Sequence, residues 1–266
     1  MLNKFIILII ILGILFFFKF NNIEYFTNNI SILNLVLYSD DPYYNEMYNI
    51  TSKYYNKFNN NLCKTFYYKF SNDIEDDYVL ENNILLIKGN ETYLPGILDK
   101  TIKAFAYFKD YKYDYLVRSN ISTIINLDLL INQLNKNNID YGGGTVLYID
   151  ENYLDPSSGI HDNRYANTFY ASGTSIVLSK NLVNQILLKK EFIDYNVIDD
   201  VSIGFLIKNY FSDIYLKLYN FKEKFISIND DNINNFDISK IIFYRNRNIT
   251  RDIDIKNIDY ITSILY

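Results

Sequence analysis

Phe169-Tyr-Ala-Ser-Gly-Thr-Ser-Ile-Val-Leu-Ser-Lys-Asn-Leu-Val183, followed by Ile198-Asp-Asp-Val-Ser-Ile-Gly204, is the pair of segments on which the reading of this chain turns. In the first, Ser172 and Gly173 stand just before a short apolar strand, and Ser179 opens the helix behind it. In the second, Asp199 and Asp200 fall on a loop at the start of another helix. Small residues let a ligand approach the backbone closely. A carboxylate at a helix start is placed either to cap the helix or to accept a proton.

The same alternation of strand and helix extends along the chain. Apolar runs predict strands at 32–38, 65–70, 84–87, 113–117, 145–149, 174–178, 213–219 and 240–244. Between them, Ile97, Leu98, Thr101, Ile102, Phe105 and Phe108 recur at helical spacing. Leu127, Leu130, Ile131 and Leu134 do the same behind Asn126, a candidate N-cap, and Leu182, Val183, Ile186 and Leu187 behind Ser179. This pattern predicts an α/β domain with a mostly parallel central sheet flanked by helices.

Composition narrows the function classes. Of 266 residues, 49% are hydrophobic and 21% charged, which excludes a disordered chain. The net charge of −5 implies no basic surface, so nucleic acid is not an expected partner. Cys63 is the single cysteine and excludes an intrachain disulfide. His161 is the single histidine and excludes a His-rich metal site.

At the amino terminus, residues 5–18 form an unbroken apolar run between Lys4 and Lys19. The run is shorter than the roughly 20 residues that usually span a bilayer, but Phe20 extends it if Lys19 snorkels. No small-residue cleavage site follows. The expectation is a signal anchor at 1–20, an Asn-rich stem at 21–30 and one catalytic domain at 31–266. That would make a single-pass protein of an ER-, Golgi- or viral-factory-like membrane, its side unassigned because the flanking lysines are symmetric.

In their order, the two second-half segments resemble the donor–acceptor cleft of β1,3-glycosyltransferases of the galactosyltransferase and Fringe type (glycosyltransferase family 31). There the pattern is S-G-G-G-Y-V-L-S, a hydrophobic helix, then E-D-V-Y-x-G or D-D-x-x-x-G. Upstream, Glu91-Thr-Tyr93 with Lys100-Thr101 resembles the family's D-x-Y and K-T elements, and Tyr115-Leu-Val-Arg118-Ser119-Asn120-Ile121-Ser122 resembles its strand ending in an aspartate triplet. The resemblance covers roughly residues 31–210 and implies the nucleotide-diphospho-sugar transferase (GT-A) fold. It implies a nucleotide-sugar donor, a UDP-sugar first among them, and a glycan or glycoprotein acceptor. The decisive departure is that Asn120-Ile121-Ser122 replaces the Asp-x-Asp that holds a divalent metal in the family.

The residues then take expected roles. Asp200 aligns with the family's base and Asp199 with its acidic neighbour, and two adjacent carboxylates raise the pKa of one of them. Asn120 and Ser122 offer only neutral oxygens, poor ligands for a hard divalent ion. No cofactor is therefore expected; a divalent metal is allowed but not expected. Arg118, Arg245 and Arg247 are the candidate cations for a leaving diphosphate. Ser39, Tyr93, Lys100, Ser119, Asn120, Ser122, Ser172 and Gly173 complete the expected donor side. Tyr141, Gly142, Gly143 and Tyr170 form the expected acceptor side, although consecutive glycines equally suit a turn. A non-catalytic relative that binds glycan or nucleotide remains the alternative.

Overall fold

The computed structural model describes residues 30–265 apart from 61, 230–232 and 234. Its centre is an eight-stranded mixed sheet. In chain order the strands of this sheet and its neighbours are β1 Ile32–Leu37, β2 Cys63–Ser71, β3 Tyr78–Glu81, β4 Ile84–Lys88, β5 Tyr115–Asn120, β6 Thr123–Ile125, β7 Tyr141–Gly143, β8 Val146–Ile149, β9 Thr168–Ala171, β10 Ser175–Ser179, β11 Tyr219–Asn220, β12 Phe225–Ile228 and β13 Phe243–Asn246. The main sheet runs β11-β7-β10-β5-β1-β2-β4-β3. Strands β5, β1, β2 and β4 are parallel neighbours, whereas β10 is antiparallel to both β5 and β7. A second sheet orders β12-β13-β6, and β8 pairs with β9 as a hairpin. The expected α/β architecture is thus present.

Helices cover both faces. They are α1 Pro42–Asn56, α2 Gly96–Phe108, α3 Leu127–Lys136, α4 Lys180–Leu188, α5 Asp199–Tyr210, the short α6 Ser212–Tyr215 and α7 Arg251–Ile264. Period-two alternation divides the strands between two cores. Ile32 and Val36 of β1 meet Met47, Tyr54 and Tyr55 of α1, Leu130 of α3 and Ile258 of α7. Leu33 and Leu35 point the other way, to Phe105 of α2, Leu182 of α4 and Ile203 of α5. Burying so many large side chains on both faces is the main stabilising term, at about 25 cal/mol per Å² of apolar surface.

The caps explain where helices begin. Asn126 Oδ1 accepts the Leu129 N–H at 3.2 Å, and Ser179 Oγ accepts the Leu182 N–H at 3.2 Å. Both caps were expected from the sequence. The cap of α1 was not: Asp41 Oδ1 accepts the Tyr43 N–H at 2.9 Å and Pro42 occupies the first turn, where its missing N–H costs nothing.

Several expectations need correction. The run 213–219 is not a strand, because Ile214, Tyr215 and Leu218 meet the core at helical spacing, and only Tyr219–Asn220 pairs. The strand expected at 240–244 lies at Phe243–Asn246. The single-pass membrane assignment is also overturned: among the described residues no helix is long and apolar enough to cross a membrane. The apolar run 5–18 that suggested it lies outside the described residues.

Candidate active site

Chain topology decides where a ligand can sit. From β1 the chain moves outward to β2 and β4, then returns to place β5 on the other side of β1. Such a reversal opens a crevice at the carboxyl ends of the two strands. Leu37 and Asn120 are register partners at that point. Because β10 runs antiparallel to β5, with Ser175 opposite Ser119, the loop before β10 arrives at the same crevice. The amino terminus of α5 comes in from the side, since Gly173 N–H donates to Asp200 Oδ2 at 2.8 Å.

The crevice is a cavity of about 750 Å³, within the range of small-ligand sites. Ser39, Tyr93, Lys100, Arg118, Asn120, Ser122, Ser172, Gly173, Asp199, Asp200, Arg245 and Arg247 all line it. Ser119, Tyr141, Gly142, Gly143 and Tyr170 do not. Ser119 is buried within β5. Tyr141, Gly142 and Gly143 form a central strand rather than an open loop. The Tyr141 hydroxyl accepts the Ala171 N–H at 2.9 Å, and a Cβ on Gly143 would lie 2.6 Å from that of Ala171. These glycines serve close packing, which corrects their expected place on the acceptor side. Tyr170 is likewise buried, packed against Gly204 of α5.

A cavity of similar size, about 700 Å³, lies near Tyr113, Asp114, Lys136 and Lys180 at the opposite ends of the strands. The buried charges gather only in the first. There Arg118, 1% exposed, sets its Nη2 2.5 Å from Asp199 Oδ2. Its Nη1 donates to the Gly173 carbonyl and to Asn120 Oδ1, the latter at 2.9 Å. Burial opposes the guanidinium charge, but Asp199, Tyr68 and Asp200 outweigh it and raise the Arg118 pKa. The two terminal nitrogens of Arg118 are thus held by protein acceptors, while its buried Nε has no hydrogen-bond partner.

Asp200 is left as the carboxylate without a cationic partner. Burial first, and the charge of Asp199 second, push its pKa up to about 6, against the opposing pull of the Gly173 N–H and Arg118. Its Oδ1 accepts the Val201 N–H at 2.8 Å. A Cβ on Gly173 would sit 3.0 Å from Arg118 Nη1 and 3.3 Å from Asp200 Oδ2, so this position tolerates little beyond hydrogen. Two neighbouring acids are thereby given different work. Asp199 is the counter-ion of Arg118, and Asp200 is a buried carboxylate of raised pKa on the cavity wall.

Lys100 also lines the cavity yet is 2% exposed. Its ammonium donates to Glu91 Oε1 at 2.8 Å, Glu91 Oε2 at 2.6 Å and the Tyr38 carbonyl at 3.1 Å. An ammonium has three donors, so none remains for a ligand. Burial lowers the Lys100 pKa, and Glu91 holds the charge in place. Tyr38 and Tyr44 are cavity residues that the sequence reading missed. The Asp41-Pro42 start of α1 was the signal that would have placed Tyr44 there.

The divalent ion implied by the family resemblance can be tested against these donors. Asn120 Oδ1 accepts from Arg118, and Ser122 Oγ accepts from Arg245 Nη1, so both neutral oxygens face a guanidinium. Asp40 pairs with Lys69 at 2.6 Å, Asp41 caps α1, and Asp199 pairs with Arg118. Among the described residues, no group of three or more His, Cys, Asp or Glu side chains is placed to hold a metal. A hard cation needs a shell of anionic or carbonyl oxygens, and these residues do not fit one.

No protein-family model matches the chain, and no curated protein matches it by sequence. Solved structures do resemble it. One is a glycosyltransferase involved in the glycosylation of the major capsid of PBCV-1, 8% identical, covering 86% of this chain and 99% of that one with a TM-score of 0.47. Another is the galactosyltransferase LgtC in complex with donor and acceptor sugar analogues, 10% identical, covering 87% and 95% with a TM-score of 0.42. Both likenesses are distant.

Proposed function

We propose that this chain is an inverting glycosyltransferase that moves a sugar from a nucleotide-sugar, a UDP-sugar as the first class to test, to a hydroxyl of a glycan. The observation that carries this reading is Asp200: a buried carboxylate with a raised pKa, lining a cavity at the carboxyl ends of β1 and β5. The order of the motifs in the sequence supports it, because distant segments meet at that one cavity.

The acceptor oxygen would attack the anomeric carbon from the face opposite the diphosphate. One carbon–oxygen bond forms as the other breaks, and the bonding pair leaves with the diphosphate. The acceptor proton passes to Asp200. A pKa near 6 leaves Asp200 mostly ionised at neutral pH while making it a stronger base than an ordinary carboxylate. Asp199 and Arg118 position it without touching the reacting atoms. The hydrogen bonds from Gly173 and Val201 fix its orientation.

The test is hydrolysis and transfer by the full chain against a panel of nucleotide-sugars, compared with Asp200→Asn. The amide keeps size but not basicity. Turnover in the parent and loss in the variant support the reading; full turnover in Asp200→Asn removes Asp200 as base. A non-catalytic binder draws on the neutral Asn120 and Ser122, and it predicts nucleotide binding with no turnover in either protein.

A further inference from the structure

The cations around the cavity fall into two groups. Lys100 holds Glu91, Arg118 holds Asp199, and Arg251 holds Asp254 at 2.6 Å. Arg245 and Arg247 also line the cavity, and among the described residues neither has a carboxylate within ion-pair distance. The geometry brings them there deliberately. Strand β13 runs antiparallel to β6 with Arg245 opposite Thr123, which sets the Arg245 guanidinium on the Ser122 hydroxyl. The Arg245 Nε is buried and has no hydrogen-bond partner.

Uncompensated guanidiniums in a half-closed cavity are costly unless an anion answers them. Planar, doubly donating guanidiniums match phosphate oxygens better than point charges do. Burial, then the charges of Arg251 and Arg247, push the Arg245 pKa down to about 10. It stays charged at neutral pH, yet the crowding marks a place where negative charge is missing.

We infer that Arg245 and Arg247 form a metal-free seat for the diphosphate of the nucleotide-sugar, with the guanidinium held by Ser122 taking the part that a divalent ion plays in the family this chain resembles. The inference rests on the glycosyltransferase reading and adds how the donor is held. A fixed guanidinium stabilises the charge that builds on the leaving diphosphate without having to be recruited.

The test is binding by the full chain, measured by calorimetry with UDP and with inorganic pyrophosphate, in excess EDTA and in Mn²⁺. Both probes should bind in EDTA, and Mn²⁺ should change the affinity less than about twofold, well under the tenfold that 1.4 kcal/mol represents. Arg247→Gln, at an exposed position, should weaken both probes by about tenfold or more, the loss expected for a hydrogen bond to a charged group. Arg245→Gln should do the same, and Arg164→Gln, at an exposed residue that does not line the cavity, should do nothing. Binding of UDP only with Mn²⁺ would overturn the metal-free seat while leaving the glycosyltransferase reading intact. Unchanged affinity in Arg247→Gln and Arg245→Gln would overturn the assignment of the seat. No binding of either probe under any condition would overturn the seat and the transferase reading together.

Discussion

In the cavity lining Arg118 and Asp199 meet within a strand–helix junction and cancel each other's charge. Arg245 and Arg247 stand on β13 and just beyond it, with no carboxylate among the described residues to answer them. The same kind of side chain thus does two jobs. The paired arginine is a strut that the fold requires, and its removal leaves a buried anion. Among the described residues the other two arginines have no carboxylate partner, so their presence asks for an anion from outside. Burial separates them as well as partnership does: Arg118 is fully buried, Arg245 partly buried and Arg247 exposed.

The largest effect should come from breaking the strut. Arg118→Met should cost about 3–5 kcal/mol in urea unfolding, the range for stripping one partner from a buried ion pair. Adding Asp199→Leu should recover much of that loss, since no bare charge then remains. A single variant as stable as the parent would mean that the Arg118–Asp199 pair is no more structural than Arg245 and Arg247.

Next is the base. Asp200→Asn should lower kcat by roughly 10²-fold or more, the scale of general base catalysis, while UDP affinity in EDTA stays put. An equal loss of kcat and of UDP affinity would show that Asp200 belongs to donor binding instead.

The third effect is on pH. Below about pH 6 Asp200 takes up a proton, so kcat/KM should fall towards acid, about tenfold per unit for a single ionisation. Its folded pKa lies above its unfolded one, so the folded state holds that proton more tightly. Its stabilising contribution is therefore complete at low pH and is lost as pH rises towards 6. Asp200→Asn should accordingly gain in Tm relative to the parent as pH rises from 3.8 to about 6, and the gain should level off above that. A Tm difference that is flat across that range would argue against a raised pKa.

The smallest effect sharpens the contrast. Arg247→Gln should change unfolding stability by less than about 0.5 kcal/mol, the usual range for an exposed site, although it weakens diphosphate binding. A cost comparable with Arg118→Met would erase the distinction between strut and seat.

How far the sequence could be read follows from what each residue leans on. Asn126 and Ser179 were legible because a cap is local: the acceptor and its N–H lie three residues apart. Asp200 was legible through its neighbour and its helix start. The pairing of Arg118 with Asp199 was not, because nothing local joins positions so far apart in the chain. Tyr141 to Gly143 read as an open loop since glycines carry no strand signal, yet the close approach of Ala171 demands them there. Arg245 and Arg247 fell beyond the strand expected at 240–244, although β13 runs through Asn246 and α7 begins at Arg251. Helix α7 went unread because Ile255, Ile258 and Ile261 gain their meaning only against α1.

The position of β13 has a consequence for biosynthesis. Chains emerge from the ribosome amino terminus first, and domains begin to fold in that order. Every strand of the main sheet, with Asp200 beside it, is made by Asn220. Arg245 and Arg247 are made after it, and α7 with its isoleucine layer after them. A nascent chain therefore carries Asp200 before it carries the two arginines. An anion bound by them would stabilise only chains that have grown past them, by mass action. A single cut between Asn220 and Phe243 would part Asp200 from both arginines and from α7.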